Sequence, residues 1–171
     1  FEDDFRKVNP WCTVPALELD DGTTISEVQG VWRYIEAIHP EPSLLGADPV
    51  EIGTIAMWEN RMMLDGMQAA GEAFRNYAKG FKGRALPGPD SYEQIPELVD
   101  RGRSRMERLF ETLDRRMGES EFIAGDRYTA ADITAQVSVD FAGWLKMTIP
   151  DELANAKRWH DAVSSRPSAK A

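Results

Sequence analysis

Residues 9–29 read Asn9-Pro10-Trp11-Cys12-Thr13-Val14-Pro15-Ala16-Leu17-Glu18-Leu19-Asp20-Asp21-Gly22-Thr23-Thr24-Ile25-Ser26-Glu27-Val28-Gln29. Leu17 and Leu19 alternate with Glu18 and Asp20, the period of a half-buried strand. Asp21-Gly22 is the signal of a tight type I′ turn. Thr23, Thr24 and Ile25 supply a β-prone return strand. A β-hairpin is therefore expected over residues 14–26. Ser26-Glu27-Val28-Gln29 then matches an S-x-x-Q capping box, with Ser26 as the expected N-cap. Val28, Val31, Trp32, Ile35 and Ile38 recur at helical spacing and give one apolar face. His39-Pro40 ends that helix, because a residue before proline is pushed out of the α region.

Two features of this stretch admit more than one reading. Pro15 cannot donate to a strand ladder. It either opens an edge strand or, if its peptide bond is cis, turns the Val14 backbone outward to pair with an extended peptide. The helix start at Ser26-Glu27-Val28 is either ordinary capping or a site for a zwitterionic amino-acid terminus. In the second reading free N–H groups take the carboxylate and Glu27 takes the ammonium group. A two-stranded hairpin is also marginal in water, and one of its edges stays open. The expectation is that the chain lacks an N-terminal part of this unit.

Beyond a linker at 40–46 the sequence reads as helix. One helix is expected from about Pro49 to Phe74, with Pro49 suited to a first turn. A Gly- and Pro-rich loop follows over 80–89. A second helix is expected from about Pro96 to Met117, with Leu98, Met106, Leu109, Leu113 and Met117 on one stripe and Gly118 as C-cap. Thr129-Ala130-Ala131-Asp132 fits a capping box with an acidic closing residue. As a cap alone, Asp132 is worth about 1 kcal/mol. The helix it opens carries Ile133, Val137, Phe141 and Trp144 and is expected to be buried. A last helix is expected over about 151–165.

Composition narrows the function classes. Five Trp, seven Phe and four Tyr supply ample apolar area for a core. A net charge of -9 argues against nucleic acid and anionic membrane surfaces as partners. The single cysteine, Cys12, allows no intrachain disulfide. It reads as a small packing residue, and the cytoplasm is the default compartment. His39 and His160 share no metal-ligand spacing with Cys12 or an acidic cluster, so no metal site is expected. Asp140, within an apolar helix, is expected at an edge.

Asn9-Pro10-x-x-x-Val14-Pro15-x-Leu17, then Asp21-Gly22, Ile25-Ser26-Glu27 and Tyr34-Ile35, resembles the later part of the thioredoxin-like domain of glutathione transferases. Phe122-Ile123-Ala124-Gly125-Asp126-x-Tyr128-Thr129-x-Ala131-Asp132-Ile133 resembles the capping-box segment of that family's all-helical domain. The resemblance implies an α-rich α+β fold: a partial thioredoxin-like domain at 1–39, a linker at 40–46 and an all-helical C-terminal domain at 47–171. It implies glutathione as co-substrate, with Thr13, Val14, cis Pro15, Glu27 and Val28 as its binding residues. It implies a small electrophile as second substrate, met by Met57, Arg61 and Met62, and a homodimer. The family usually has Ser where this chain has Val28, which removes one hydroxyl. The family's thiolate-stabilising Ser, Tyr or Cys belongs to a segment outside these residues, so no catalytic residue is named. The alternatives are a non-catalytic binding protein of this fold, or a glutathione-dependent isomerase, dehalogenase or disulfide reductase.

Overall fold

The computed structural model describes residues 3–170. A short helix, α1 (Asp3–Val8), precedes the hairpin of β1 (Ala16–Glu18) and β2 (Thr24–Ser26). The strands are antiparallel, in the register Ala16↔Ser26, Leu17↔Ile25 and Glu18↔Thr24. Helix α2 (Val28–Ile38) packs back on the hairpin, its Gly30 lying against Ile25. No element was expected before the hairpin, so α1 is an addition to the sequence reading. Six residues without a buried side chain carry too little periodicity to reveal a helix.

The remaining chain is helical: α3 (Pro49–Met62), a π-helical turn at Met63–Met67, α4 (Gln68–Tyr77), α5 (Glu97–Met117), α6 (Ala130–Ala142) and α7 (Ala154–Ser164). The expected helix from Pro49 is thus one rod to Tyr77, interrupted only by the π turn. Asp48 caps it, accepting from the Val50 and Glu51 N–H groups at 2.8 and 2.9 Å. The π turn lets Gly66 lie where an added Cβ would sit 2.6 Å from the Ser138 hydroxyl of α6. Helices α4 and α5 meet just as closely, since a Cβ at Gly102 would sit 2.5 Å from the Ala69 carbonyl oxygen.

The core gathers Met62, Met106, Leu109, Phe110, Leu113, Met117, Ile123 and Trp159 between these helices. The Leu and Met stripe expected on α5 is buried, except that Leu98 is not part of it. Helix α6 is buried as expected, but through Ala131, Ala135, Ser138, Val139 and Ala142, whereas Val137 and, just beyond its end, Trp144 are exposed. Small residues there allow α3 and the π turn to approach, and the large apolar ones are left at the rim.

Thr129 and Asp132 form the expected capping box. Asp132 does more than cap: fully buried, it also accepts from the Ile123 N–H and the Trp159 Nε1–H, each at 3.0 Å. Asp140 is exposed as expected at an edge, and it pairs with His160 at 2.8 Å. Among the described residues no helix is long and apolar enough to cross a membrane.

Candidate functional site

The loop between α1 and β1 is built by one buried amide. Asn9 is almost wholly enclosed, and its Nδ2 donates to the Thr13 carbonyl at 2.8 Å and to Thr13 Oγ1 at 3.3 Å. Its Oδ1 accepts from the Trp11 N–H, and its carbonyl from the Cys12 N–H. This closes a tight turn in which Cys12 is buried at φ 53°, a backbone region that side chains rarely enter. The turn delivers Thr13 and Val14 to the mouth of the hairpin. The Val14–Pro15 peptide is cis, and the Val14 side chain is exposed. Among the described residues no hydrogen bond reaches the Val14 N–H or carbonyl.

The other wall is the start of α2, and here the expected capping box is absent. Ser26 pairs with Ala16 as the last residue of β2 and makes no cap. The N-cap is Glu27, held at φ 66° and ψ 139°, and its carbonyl accepts from the Gly30 and Val31 N–H groups. Strand pairing took Ser26 before the helix could use it. The N–H groups of Val28 and Gln29 have no intrahelical acceptor, as in any first turn, and no other partner among the described residues.

Thr13 joins the two walls. Its hydroxyl donates to Glu27 Oε1 at 3.3 Å while accepting from Asn9. A buried amide, a hydroxyl and an exposed carboxylate thus form one hydrogen-bonded series across the hairpin mouth. The structure brings Thr13, Val14, Pro15, Glu27 and Val28 into one neighbourhood. Charge and open backbone groups there suit a small zwitterionic peptide: a carboxylate for an ammonium, helix-tip N–H groups for a carboxylate, and a free N–H and C=O for an extended backbone.

Behind the helix tip lies a polar contact that the sequence reading missed. Gln29 Nε2 donates to Oε2 of Glu59 on α3, and Arg33 donates to the Gln29 carbonyl at 3.0 Å. Glu59 is buried, and its other oxygen accepts from Thr134 of α6 at 3.3 Å. The linker is clamped as well. Glu36 accepts from Ser43 Oγ, Leu44 N–H and Leu45 N–H at 2.7–2.9 Å. Partial burial alone would raise its carboxyl; these hydrogen bonds and the Arg127 charge together hold it below its ordinary value. Arg127 bonds Glu51 and the Ser43 carbonyl, and the Ala130 N–H bonds the Leu44 carbonyl. Apart from Arg33 and Gln29, one turn apart on α2, the partners are seven or more residues apart, so only their residue types could have drawn notice.

The three residues expected to meet a second substrate all lie on α3. Arg61 and Met62 line a groove between α3 and α5, Met62 as its buried floor. Met57 is exposed one turn earlier and is outside that lining.

Comparison with known proteins adds the following. Residues 67–167 match the family described as glutathione S-transferase, C-terminal domain, and residues 1–38 match glutathione S-transferase, N-terminal domain. Glutathione S-transferase 2 of Saccharomyces cerevisiae is 33% identical over 159 residues, which is 92% of this chain and 66% of the yeast protein. The chain therefore spans slightly less than two thirds of that relative. A crystal structure of a glutathione S-transferase domain-containing protein from Marinobacter aquaeolei VT8 is 36% identical, with a TM-score of 0.88, over 98% of this chain and 79% of that one. The crystal structure of Gtt2 from Saccharomyces cerevisiae is 32% identical, also with a TM-score of 0.88, over 99% and 79%.

Proposed function

The chain belongs to the glutathione S-transferase family, and from that premise we propose that its hairpin mouth holds glutathione for transfer to a small electrophile. The observation that carries this reading is the Thr13–Glu27 hydrogen bond, which ties the strand entry to the helix tip. In this reading the Val14 N–H and carbonyl pair with the cysteinyl unit beside Pro15. The Glu27 carboxylate takes the γ-glutamyl ammonium, and the Val28 N–H takes the neighbouring carboxylate. Thr13 approaches the glycyl end. The thiolate sulfur then forms a bond to an electrophilic carbon, and the leaving group departs with its electron pair. Arg61, Met62 and Met57 border the electrophile's side, and the full-length protein works as a homodimer in the cytoplasm.

Val28 favours a second reading, a binding protein that retains the pocket without turnover. Where the family usually places Ser, Val28 supplies a backbone N–H but no hydroxyl. One charge-assisted hydrogen bond, worth about 1.5–3 kcal/mol, is then missing. The same scaffold also supports isomerase, dehalogenase and disulfide-reductase chemistry, and fold does not choose among them.

The test is retention of the full-length protein on immobilised glutathione, with release by free glutathione. Glu27→Ala is expected to abolish retention and leave the fold intact. A folded parent that passes straight through overturns the pocket assignment. Conjugation of glutathione to chlorodinitrobenzene by the retained protein favours the transferase; retention without turnover favours the binding protein.

A further inference from the structure

The chain leaves α4 at Tyr77 and enters α5 at Glu97 through a strap that reaches across to the strand entry. Its tip is Pro87-Gly88-Pro89. Gly88 has φ 111°, and a Cβ built on it would lie 3.6 Å from the Trp11 carbonyl oxygen. Trp11 belongs to the turn that presents Thr13 and Val14, so the tip stands beside the hairpin mouth. The two arms of the strap are tied to each other. The Ala85 N–H donates to the Tyr92 carbonyl and the Tyr92 N–H to the Gly83 carbonyl, both at 3.0 Å. Ser91 Oγ donates to the same Gly83 carbonyl at 2.7 Å.

Both arms hang on α4 by side-chain donors. Arg75 spreads its guanidinium over the Arg84, Ala85 and Leu86 carbonyls at 2.7–3.2 Å. Gln94 Nε2 donates to the Arg75 and Ala78 carbonyls at 2.7 and 2.8 Å. Apolar burial adds little: Ala85 is buried, whereas Leu86, Tyr92 and Ile95 are exposed. A segment held by hydrogen bonds near solvent, with few buried apolar contacts, opens at a lower free-energy cost than the core. Because its arms are tied together, it moves as one piece. We propose that this strap is a gate at the hairpin mouth. Closed, its tip blocks one side of the entrance; swung away from Trp11, it admits and releases glutathione. The inference rests on the reading that glutathione binds at the mouth.

A gate that favours neither the free nor the occupied site changes entry and exit rates equally and leaves affinity alone. Stopped-flow tryptophan fluorescence on the full-length protein, with glutathione as the probe, separates these quantities. Amide hydrogen exchange at Ala85 and Tyr92 reports whether the strap has loosened. Arg75→Gln removes the fork from one arm; Gln94→Ala frees the other arm and repeats the test without altering Arg75. Each variant is expected to exchange faster at Ala85 and Tyr92. Each is also expected to bind and release glutathione about fivefold faster or more, with Kd within about twofold of the parent's. Faster exchange with unchanged binding and release rates overturns the gate. A rise in the release rate alone also overturns it, because the strap would then be a contact for the ligand. So does unchanged protection at Ala85 and Tyr92 in both variants, since the strap would then not hang on these anchors. A folded parent that binds no glutathione overturns the pocket assignment itself, and the gate with it; a parent that binds normally beside variants with parental rates overturns the gate alone.

Discussion

At the scale of single residues, Asp132 shows how far a local motif reaches. The Thr129–Asp132 box was legible because capping is a matter of three residues and one helix start. The sequence could not say that Asp132 also receives the Ile123 N–H and the Trp159 indole, nine and twenty-seven residues away. Its role therefore grows from a surface cap to the anchor of a buried loop. Asp132→Ala strands two buried donors as well as the cap, and is expected to destabilise by about 3 kcal/mol, beyond the 1 kcal/mol of a cap alone. Urea denaturation followed by Trp fluorescence measures this, and a loss near 1 kcal/mol would leave the two distant bonds with no weight. Ser26 is the opposite case. Its sequence pattern was a good cap, but the Ala16↔Ser26 pairing placed it in a strand and passed the cap to Glu27.

At the scale of elements, boundaries were legible where the chain punctuates itself and contacts were not. Asp48-Pro49 and Gly118 mark helix ends in the residues themselves, whereas the α4–α5 crossing depends on which glycine faces which carbonyl. Gly102→Ala gains about 1 kcal/mol of helix propensity. It also drives a methyl to 2.5 Å from the Ala69 oxygen and 2.8 Å from the Ala73 Cβ. Overpacking of about 1–3 kcal/mol dominates, so the variant is expected to melt below the parent in a calorimeter; a higher melting temperature would mean the two helices can move apart freely. The linker obeys a different force. Because the Glu36 carboxyl is held below its ordinary value, its contribution is present above that value, near pH 4.5, and is lost as pH falls through the lower folded one. Glu36→Gln is expected to lose about 1–2 kcal/mol at neutral pH and to show a shallower decline on acidification. Parallel slopes for parent and variant below pH 4.5 would remove Glu36 from the acid response.

At the scale of the whole molecule, the question is what fixes the helix tip against the helical domain. Apolar packing does little of it, since no residue of α2 is fully buried. The candidate is the contact of Gln29 with Glu59, where α2, α3 and α6 meet through one buried carboxylate. A buried charge is costly unless its partners stay, so removing one partner tells more than removing the charge. Gln29→Ala leaves Glu59 with Thr134 alone and frees the first turn of α2. It is expected to destabilise by about 2–3 kcal/mol and, if the hairpin mouth binds glutathione, to weaken that binding more than it slows turnover. Glu59→Gln keeps the shape and loses the charge: its one oxygen still accepts from Gln29, and its Nε2 donates to the Thr134 hydroxyl in place of the bond it received, so about 1 kcal/mol is expected, with glutathione affinity near the parent's. Guanidinium denaturation and glutathione titration on the full-length protein read both quantities. Should Glu59→Gln prove the more damaging of the two, charge rather than hydrogen bonding holds α2. Should both variants match the parent, the hairpin and the Glu36 clamp suffice to place Glu27 and Val28 without help from α3.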